Sequence, residues 1–349
     1  MLGSFESAMI SMSRHDQCEY RTETEASDGV RDGIRARPVA VFVLGTQRSG
    51  TSAITRVLSL SGGALPAGLL GADAGNPRGC WEPRKAISLN EAILNRYGSA
   101  WFDPSLRLLD ELADGSDART ACVAEIASYL STLPAAPFVV IKEPRITVLF
   151  NLWFEAARDA GFDVAAVTVL RHPQEVVSSI ASSWGLSPEL ASALWLKYNL
   201  LAERSTRGVS RVFVEYANLL EDWRREVGRV SAALGFEVEA RDEGAIDEFL
   251  TPDLRRQRCG DPVTERFGTH WVSEVYEALC AAGRDGPVDM LALNRVFESY
   301  HSSERDFRRV FEDFGKHSSS LKFRLFRPPV VAAAIELAAF ANGRKNTWA

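Results

Sequence analysis

The stretch Val39-Ala-Val-Phe-Val-Leu-Gly-Thr-Gln-Arg-Ser-Gly-Thr-Ser-Ala-Ile-Thr-Arg-Val-Leu58 decides the fold. Its first six residues are an apolar run rich in β-branched side chains, which is typical of a strand buried on both faces. A polar loop bounded by Gly45 and Gly50 follows, and residues 53–58 have the apolar spacing of a helix. The order strand, glycine-bounded loop and helix predicts the first unit of a parallel sheet.

Three later segments repeat the order of a strand followed by a helix. Buried strands are predicted at residues 138–141, 164–170 and 212–216, and helical periodicity fills the intervals between them. Alternating strands and helices predict an α/β fold, with a parallel sheet flanked by helices and a helical C-terminal extension. In such sheets ligands bind beyond the carboxyl ends of the strands. Two of these ends carry Lys142 and Arg171, so we expect a cationic site at this edge.

Composition limits the classes of protein to which the chain can belong. Its 349 residues carry a net charge of −6 and are 46% apolar, an ordinary globular composition without the basic surplus that coats nucleic acid. The five cysteines are scattered and form no C-x-x-C pair, which predicts neither a disulfide framework nor a zinc site. The charge leads us to expect no nucleic-acid partner. The unpaired cysteines, and the lack of an apolar stretch typical of a signal peptide or a membrane span, lead us to expect a cytoplasmic location.

We divide the chain into three parts. Residues 1–37 lack periodicity and are predicted to be a disordered tail, and residues 38–310 form the main domain. Residues 311–349 form a basic and amphipathic extension, in which Lys322-Phe-Arg-Leu-Phe-Arg327 precedes a helix predicted at 330–340. This helix either packs on the domain or on a partner subunit, or contacts a membrane surface.

The loop Gly45-Thr-Gln-Arg-Ser-Gly-Thr-Ser52 has nearly the spacing of a nucleotide phosphate loop. Its converging backbone N–H groups and the N-terminus of the following helix would bind an anion. Nucleoside triphosphatases have a lysine after the second glycine, where this chain has Thr51, and the only cation of the loop is Arg48. Lys142 and Arg171 stand where a magnesium nucleotide site would have carboxylates. These residues predict a nucleotide anion bound without metal; the alternative is a tight turn without a ligand.

A second signal is Arg171-His-Pro-Gln-Glu-Val-Val-Ser-Ser179. Pro173 suits the first turn of a helix, so Arg171 would lie at the strand end and Ser179 about two turns into the helix. The guanidinium and the hydroxyl would then complete a site for a terminal phosphate. A helix cap or a surface salt bridge would explain this pattern if it stood alone.

Together the two motifs resemble the nucleotide signatures of sulfotransferases that use 3′-phosphoadenosine 5′-phosphosulfate (PAPS). Residues 45–52 resemble the family's 5′-phosphosulfate loop, and residues 171–179 resemble its 3′-phosphate signature. The resemblance extends to residues 75–82, 142–145 and 214–220 and covers roughly residues 38–260. It is closest to the bacterial branch whose loop carries arginine.

The resemblance implies a P-loop-like sulfotransferase fold and an enzyme that moves a sulfuryl group from PAPS, its co-substrate, to a hydroxyl of a glycan, glycolipid or small metabolite. Arg48 would contact the phosphosulfate, Arg171 and Ser179 would bind the 3′-phosphate, and Tyr216 would lie near the adenine. The hydroxyls of Thr51 and Ser52 would assist in binding the phosphosulfate. The backbone amides that would cradle it are those of Gln47, Arg48, Ser49, Gly50, Thr51 and Ser52.

The acceptor hydroxyl needs a base, and negative charge grows on the leaving oxygen. Arg48 and Lys142 are the expected cations at that oxygen, and no histidine is well placed by the sequence to act as base. Glu82 is the expected base, with Glu91 and Glu143 in reserve. The alternatives are a surface ion pair of Lys142 with Glu143, and a helix N-terminus stabilised by Glu82.

The acceptor pocket and the overall activity leave alternatives. Trp81, Trp101 and Trp184 would either shape the acceptor pocket or belong to the core. A P-loop kinase or nucleotide hydrolase is the alternative enzyme, and the missing lysine and metal carboxylate count against it. A catalytically inactive binding protein is the third hypothesis, and the joint presence of Arg48, Arg171 and Ser179 counts against it.

Overall fold

The computed structural model describes residues 37–72, 76–113, 115–251, 254, 259, 262–303, 313–317 and 328–342. The predicted tail, apart from Arg37, and the basic segment 322–327 lie outside the described residues. Within the described part, the four cysteines are free thiols, and no helix is both long and apolar enough to cross a bilayer.

A four-stranded parallel sheet with the order β4-β1-β5-β6 forms the centre of the domain. Its strands are β1 Val39–Leu44, β4 Phe138–Lys142, β5 Asp163–Leu170 and β6 Ser210–Glu215. Two short strands, β2 Leu69–Leu70 and β3 Glu82–Pro83, pair with each other in antiparallel orientation. The predicted parallel sheet is therefore confirmed.

Helices cover both faces of this sheet, as an α/β fold requires. Because side chains alternate along a strand, Phe42 and Leu44 of β1 pack into one apolar cluster, and Val41 and Val43 pack into the other. The helices are α1 Thr51–Leu60, α2 Arg84–Arg96, α3 Arg107–Glu111, α4 Asp117–Leu130, α5 Ile146–Asp159, α6 Pro173–Trp184, α7 Pro188–Ser205, α8 Tyr216–Glu221, α9 Trp223–Leu234, α10 Glu243–Phe249, α11 Trp271–Gly283, α12 Met290–Ser302 and α13 Pro328–Asn342.

The chain departs from the predicted elements after β6. The strand ends at Glu215, and Tyr216 begins α8, although the sequence predicts that Tyr216 belongs to the strand. The sequence also predicts one continuous helix over residues 219–234 after this strand. That prediction is wrong, because Asp222 separates α8 from α9. The Asp222 side chain accepts a hydrogen bond from the Arg225 N–H and so caps the start of α9.

The C-terminal helix α13 contacts α2. Its inner face buries Val331 and Ala339, and its one charged side chain, Glu336, lies 3.6 Å from the Arg84 guanidinium. The sequence left open whether this helix packs on protein or contacts a membrane surface. Its inner face packs on the domain.

Candidate active site

A cavity of about 770 Å³ opens at the carboxyl ends of the parallel strands. All four strands of the sheet are followed by residues that line it, in agreement with the rule for parallel sheets. Of the predicted site residues, Ser49 does not line the cavity, because its side chain is fully buried. The others that line the cavity are Gln47, Arg48, Gly50, Thr51, Ser52, Glu82, Lys142, Arg171, Ser179 and Tyr216.

The loop between β1 and α1 is held in a fixed conformation. The Gly45 N–H donates to Thr147 Oγ1 at 3.1 Å, and Arg48 adopts a positive φ of 69°. Gly50 has φ 96°, and a Cβ on it would lie 2.2 Å from Cδ2 of Tyr216. Only glycine therefore fits here, and the Tyr216 ring packs directly against the loop.

Helix α1 begins at Thr51, and within the described chain no side chain caps its first turn. The N–H groups of a first helical turn lack partners inside the helix and carry a partial positive charge. Thr51 and Ser52 both line the cavity. The start of α1 therefore offers backbone donors to an anion in the cavity.

The two basic motifs of the sequence meet at one side of the cavity. Arg48 Nε donates to Ser179 Oγ at 3.0 Å, and Arg171 Nη1 donates to the Arg48 carbonyl oxygen at 2.9 Å. Glu175, one turn further along α6, accepts from Arg171 Nε at 2.8 Å and holds the largely buried guanidinium in place. The Arg171 guanidinium also lies 5.2 Å from the centre of the Tyr216 ring.

Lys142 lies at the other side of the loop, where its side chain is only 3% exposed. Its Nζ donates to Ser52 Oγ and to the Cys80 carbonyl oxygen at 3.1 Å each, and to Glu82 Oε1 at 2.5 Å. The expected alternative, a surface pair of Lys142 with Glu143, is wrong, because Glu143 pairs with Arg145 instead. Glu82 lies in β3 ahead of α2, so its partner is this lysine and not a helix terminus.

Glu91 and Glu143, the two reserve bases, do not line the cavity. Both form ion pairs with Arg145, and Glu143 also accepts from Asn90 Nδ2 at 2.5 Å. Burial raises the pKa of Glu143 and outweighs the opposing effect of Arg145. The structure therefore brings only Glu82, of the three candidate carboxylates, to the site.

Two of the three tryptophans named from the sequence reach the cavity. The rings of Trp101 and Trp184 lie 4.8 Å apart and form part of its wall. Trp81 instead packs beneath the Arg56 guanidinium at 4.7 Å. Gln47 Nε2 donates to the Tyr198 hydroxyl, which in turn donates to the Trp101 carbonyl oxygen. These two bonds join the loop between β1 and α1 to this wall.

Sequence reasoning assigned no role to Asn76, Arg78 or Arg145, which also line the cavity. Arg48 Nη1 donates to Asn76 Oδ1 at 3.4 Å, and Arg78 donates to the Glu248 carbonyl oxygen at 2.8 Å and to Thr251 Oγ1 at 2.7 Å. The signal that could have found them is their position inside the two short motifs 75–82 and 142–145, from which the sequence analysis took other residues.

Comparison with known proteins gives distant structural neighbours. No protein-family model and no curated protein matches the chain. Among solved structures, the chain is similar to the sulfotransferase domain of the Synechococcus PCC 7002 olefin synthase, with 18% identity, a TM-score of 0.40, and coverage of 76% of this chain and 95% of that chain.

A sulfotransferase domain from the curacin biosynthetic pathway is similar at 16% identity with a TM-score of 0.35, covering 75% of this chain and 97% of that chain. Because identities and TM-scores are this low, the functional proposal depends on the residues of the site itself.

Proposed function

We propose that the protein is a PAPS-dependent sulfotransferase that moves a sulfuryl group to a hydroxyl of a glycan, glycolipid or small metabolite. The observation that carries the proposal is the meeting of both basic motifs in one cavity, with Arg171 donating to the Arg48 carbonyl and Arg48 donating to Ser179. A donor with a phosphosulfate at one end and a phosphate at the other requires two such anion sites within the span of one nucleotide.

In this proposal the phosphosulfate lies at the start of α1. The amides of the loop and of the first helical turn bind its oxygens, and the hydroxyls of Thr51 and Ser52 assist. Arg171 and Ser179 bind the 3′-phosphate, for which Glu175 orients the arginine. The Tyr216 ring, packed on Gly50, supplies an apolar surface beside the nucleoside.

Transfer proceeds through a loose, in-line transition state in which most of the catalysis is positioning and charge stabilisation. The acceptor oxygen forms a bond to sulfur while the bond from sulfur to the bridging phosphate oxygen breaks. Arg48 and Lys142 stabilise the charge on the leaving adenosine 3′,5′-bisphosphate. Glu82, fixed by Lys142 at 2.5 Å, accepts the proton of the acceptor hydroxyl.

Calorimetric titration tests the nucleotide assignment. We expect adenosine 3′,5′-bisphosphate to bind without divalent metal, and Mg-ATP to bind much more weakly. Preference for Mg-ATP would replace the proposal with the alternative kinase or hydrolase.

Arg171→Ala tests the placement of the 3′-phosphate. Loss of a charge-assisted contact predicts about 10- to 100-fold weaker binding of adenosine 3′,5′-bisphosphate. Binding of adenosine 5′-phosphosulfate, which lacks the 3′-phosphate, should change little. Arg295→Ala, at an exposed arginine of α12, is the matched control. An equal loss for both nucleotides in a folded Arg171→Ala protein would contradict the assignment.

A further inference from the structure

The outer face of α13 is a continuous apolar stripe. Three of the four most exposed large apolar side chains in the described part of the chain lie on this helix, and Leu337 and Phe340 are 70% and 75% exposed. The stripe follows helical spacing along one face, so its members form one surface. It consists of Val330, Ala333, Ala334, Leu337, Phe340 and Ala341.

This stripe is presented by a helix that is itself fixed to the domain. Val331 and Ala339 are buried on the inner face, and α13 contacts α2. The ion pair with Arg84 ties Glu336, the one acidic residue of α13, to α2. The outer face therefore has no carboxylate at its centre.

The sequence around α13 is strongly basic in an acidic chain. Residues 318–349 contain five basic residues and one acidic residue, whereas the whole chain has a net charge of −6. In the sequence, the basic residues precede and follow the helix, at Lys322, Arg324, Arg327, Arg344 and Lys345. Aromatic residues accompany them at Phe323, Phe326 and Trp348.

We propose that the α13 stripe binds the surface of an anionic phospholipid bilayer. An apolar helical face flanked by lysine and arginine has the chemistry of a helix that lies in the headgroup region, where apolar side chains enter the acyl boundary and cations meet lipid phosphates. At 15 residues α13 is too short to cross a bilayer and lies along it. A second copy fits less well, because a symmetric pairing would bring two basic segments together.

The proposed surface is independent of the catalytic proposal, and the helix that carries it pairs with an element that begins beside the cavity. Arg84, which binds Glu336, begins α2 directly after β3, and Glu82 of β3 lines the cavity.

Co-sedimentation of the full chain with vesicles tests the proposal without any acceptor. We expect binding to phosphatidylcholine vesicles that contain phosphatidylglycerol, little binding to phosphatidylcholine alone, and loss of binding at high salt. The double variant Leu337→Glu/Phe340→Glu should bind at least about tenfold more weakly, because it places charge where apolar side chains enter the bilayer. Leu291→Glu, at an 81% exposed leucine of α12, should bind as the unmodified chain does.

Three results would overturn the proposal. One is absence of binding to the anionic vesicles. Another is an equal loss of vesicle binding in the Leu291→Glu control, which would mean that binding is non-specific. The third is a dimer in lipid-free solution that the double variant abolishes, which would assign the stripe to a second copy. Because the substituted side chains are exposed, circular dichroism should show that the variants remain folded.

Discussion

The ion pair between the buried Lys142 and the partly buried Glu82 restricts both side chains. A charged group removed from water must have partners, and the ammonium has three: Ser52, the Cys80 carbonyl oxygen and Glu82. Because Ser52 belongs to the first turn of α1, the lysine places the Glu82 carboxylate next to the proposed phosphosulfate site. In the proposed reaction, the base Glu82 and the charge-stabilising Lys142 would therefore be direct neighbours.

Glu82→Gln should separate chemistry from binding. The amide still accepts a hydrogen bond from Lys142 but is not a base, so we expect kcat to fall at least about 100-fold. Binding of adenosine 3′,5′-bisphosphate, measured by calorimetry, should stay within about threefold. Glu125→Gln, which alters an outer pair with Arg96, is the control. Unchanged kcat in Glu82→Gln would remove this residue as the base.

The cations of the site could be predicted from the sequence, but their partners could not. Arg48 and Arg171 follow buried strands, and parallel strands bring such residues to one edge. The partner of Lys142 depends on the hairpin of β2 and β3, which places Glu82 beside a strand that lies 60 residues later. Proximity in the sequence favoured Glu143, but Glu143 follows the end of β4 and pairs with Arg145 instead.

At the scale of elements, α7 is buried on nearly every side and organises the loop that carries Trp101. Tyr198 donates to the Trp101 carbonyl oxygen at 2.8 Å, and Lys197 Nζ donates to the Asp103 carbonyl oxygen at 2.7 Å. Burial lowers the pKa of Lys197 to about 8, although nearby Asp103 opposes this change. A buried lysine therefore supports one wall of the cavity at a cost in stability while it is protonated.

Lys197 predicts a rise of stability with pH. Between about pH 8 and its ordinary pKa of 10.5, the unfolded chain keeps a proton that the folded chain has released. The free energy of unfolding then increases with pH through this window, and the gain is lost as pH falls through about 8. In urea titrations at about pH 7 and about pH 9.5, Lys197→Met should lack this increase, whereas Lys85→Met, at an exposed lysine, should keep it. An identical increase in both variants would contradict the assignment.

The sequence predicts an element correctly where burial determines its position, and fails where a capping hydrogen bond determines where a helix begins. The strands β1, β4 and β5 are apolar on both faces, so their sequence pattern identified them. The break at Asp222 was missed because the apolar positions Leu219, Leu220 and Trp223 keep helical spacing across it. The local hydrogen bond from Arg225 N–H to Asp222 then overrides the pattern.

One sheet lies between two apolar clusters, and the loops after all four of its strands line the cavity. The position of the cavity could be predicted from the sheet alone. The wall formed by Trp101 and Trp184 could not be predicted, because these two residues come from a loop and a helix end far apart in sequence. A ligand that bridges the loops of all four strands binds a surface that exists only in the folded domain.

Adenosine 3′,5′-bisphosphate should therefore raise the melting temperature of the domain in a single transition. At a ligand concentration 100 times Kd, linkage adds about 2.7 kcal/mol to the free energy of unfolding. For a domain of this size that corresponds to about 4–5 °C in a thermal scan without added metal. Adenosine 5′-phosphate at the same concentration should give a smaller shift, and Arg171→Ala should reduce the difference between the two nucleotides. A shift equal for both nucleotides in the unmodified protein would mean that the 3′-phosphate is not bound.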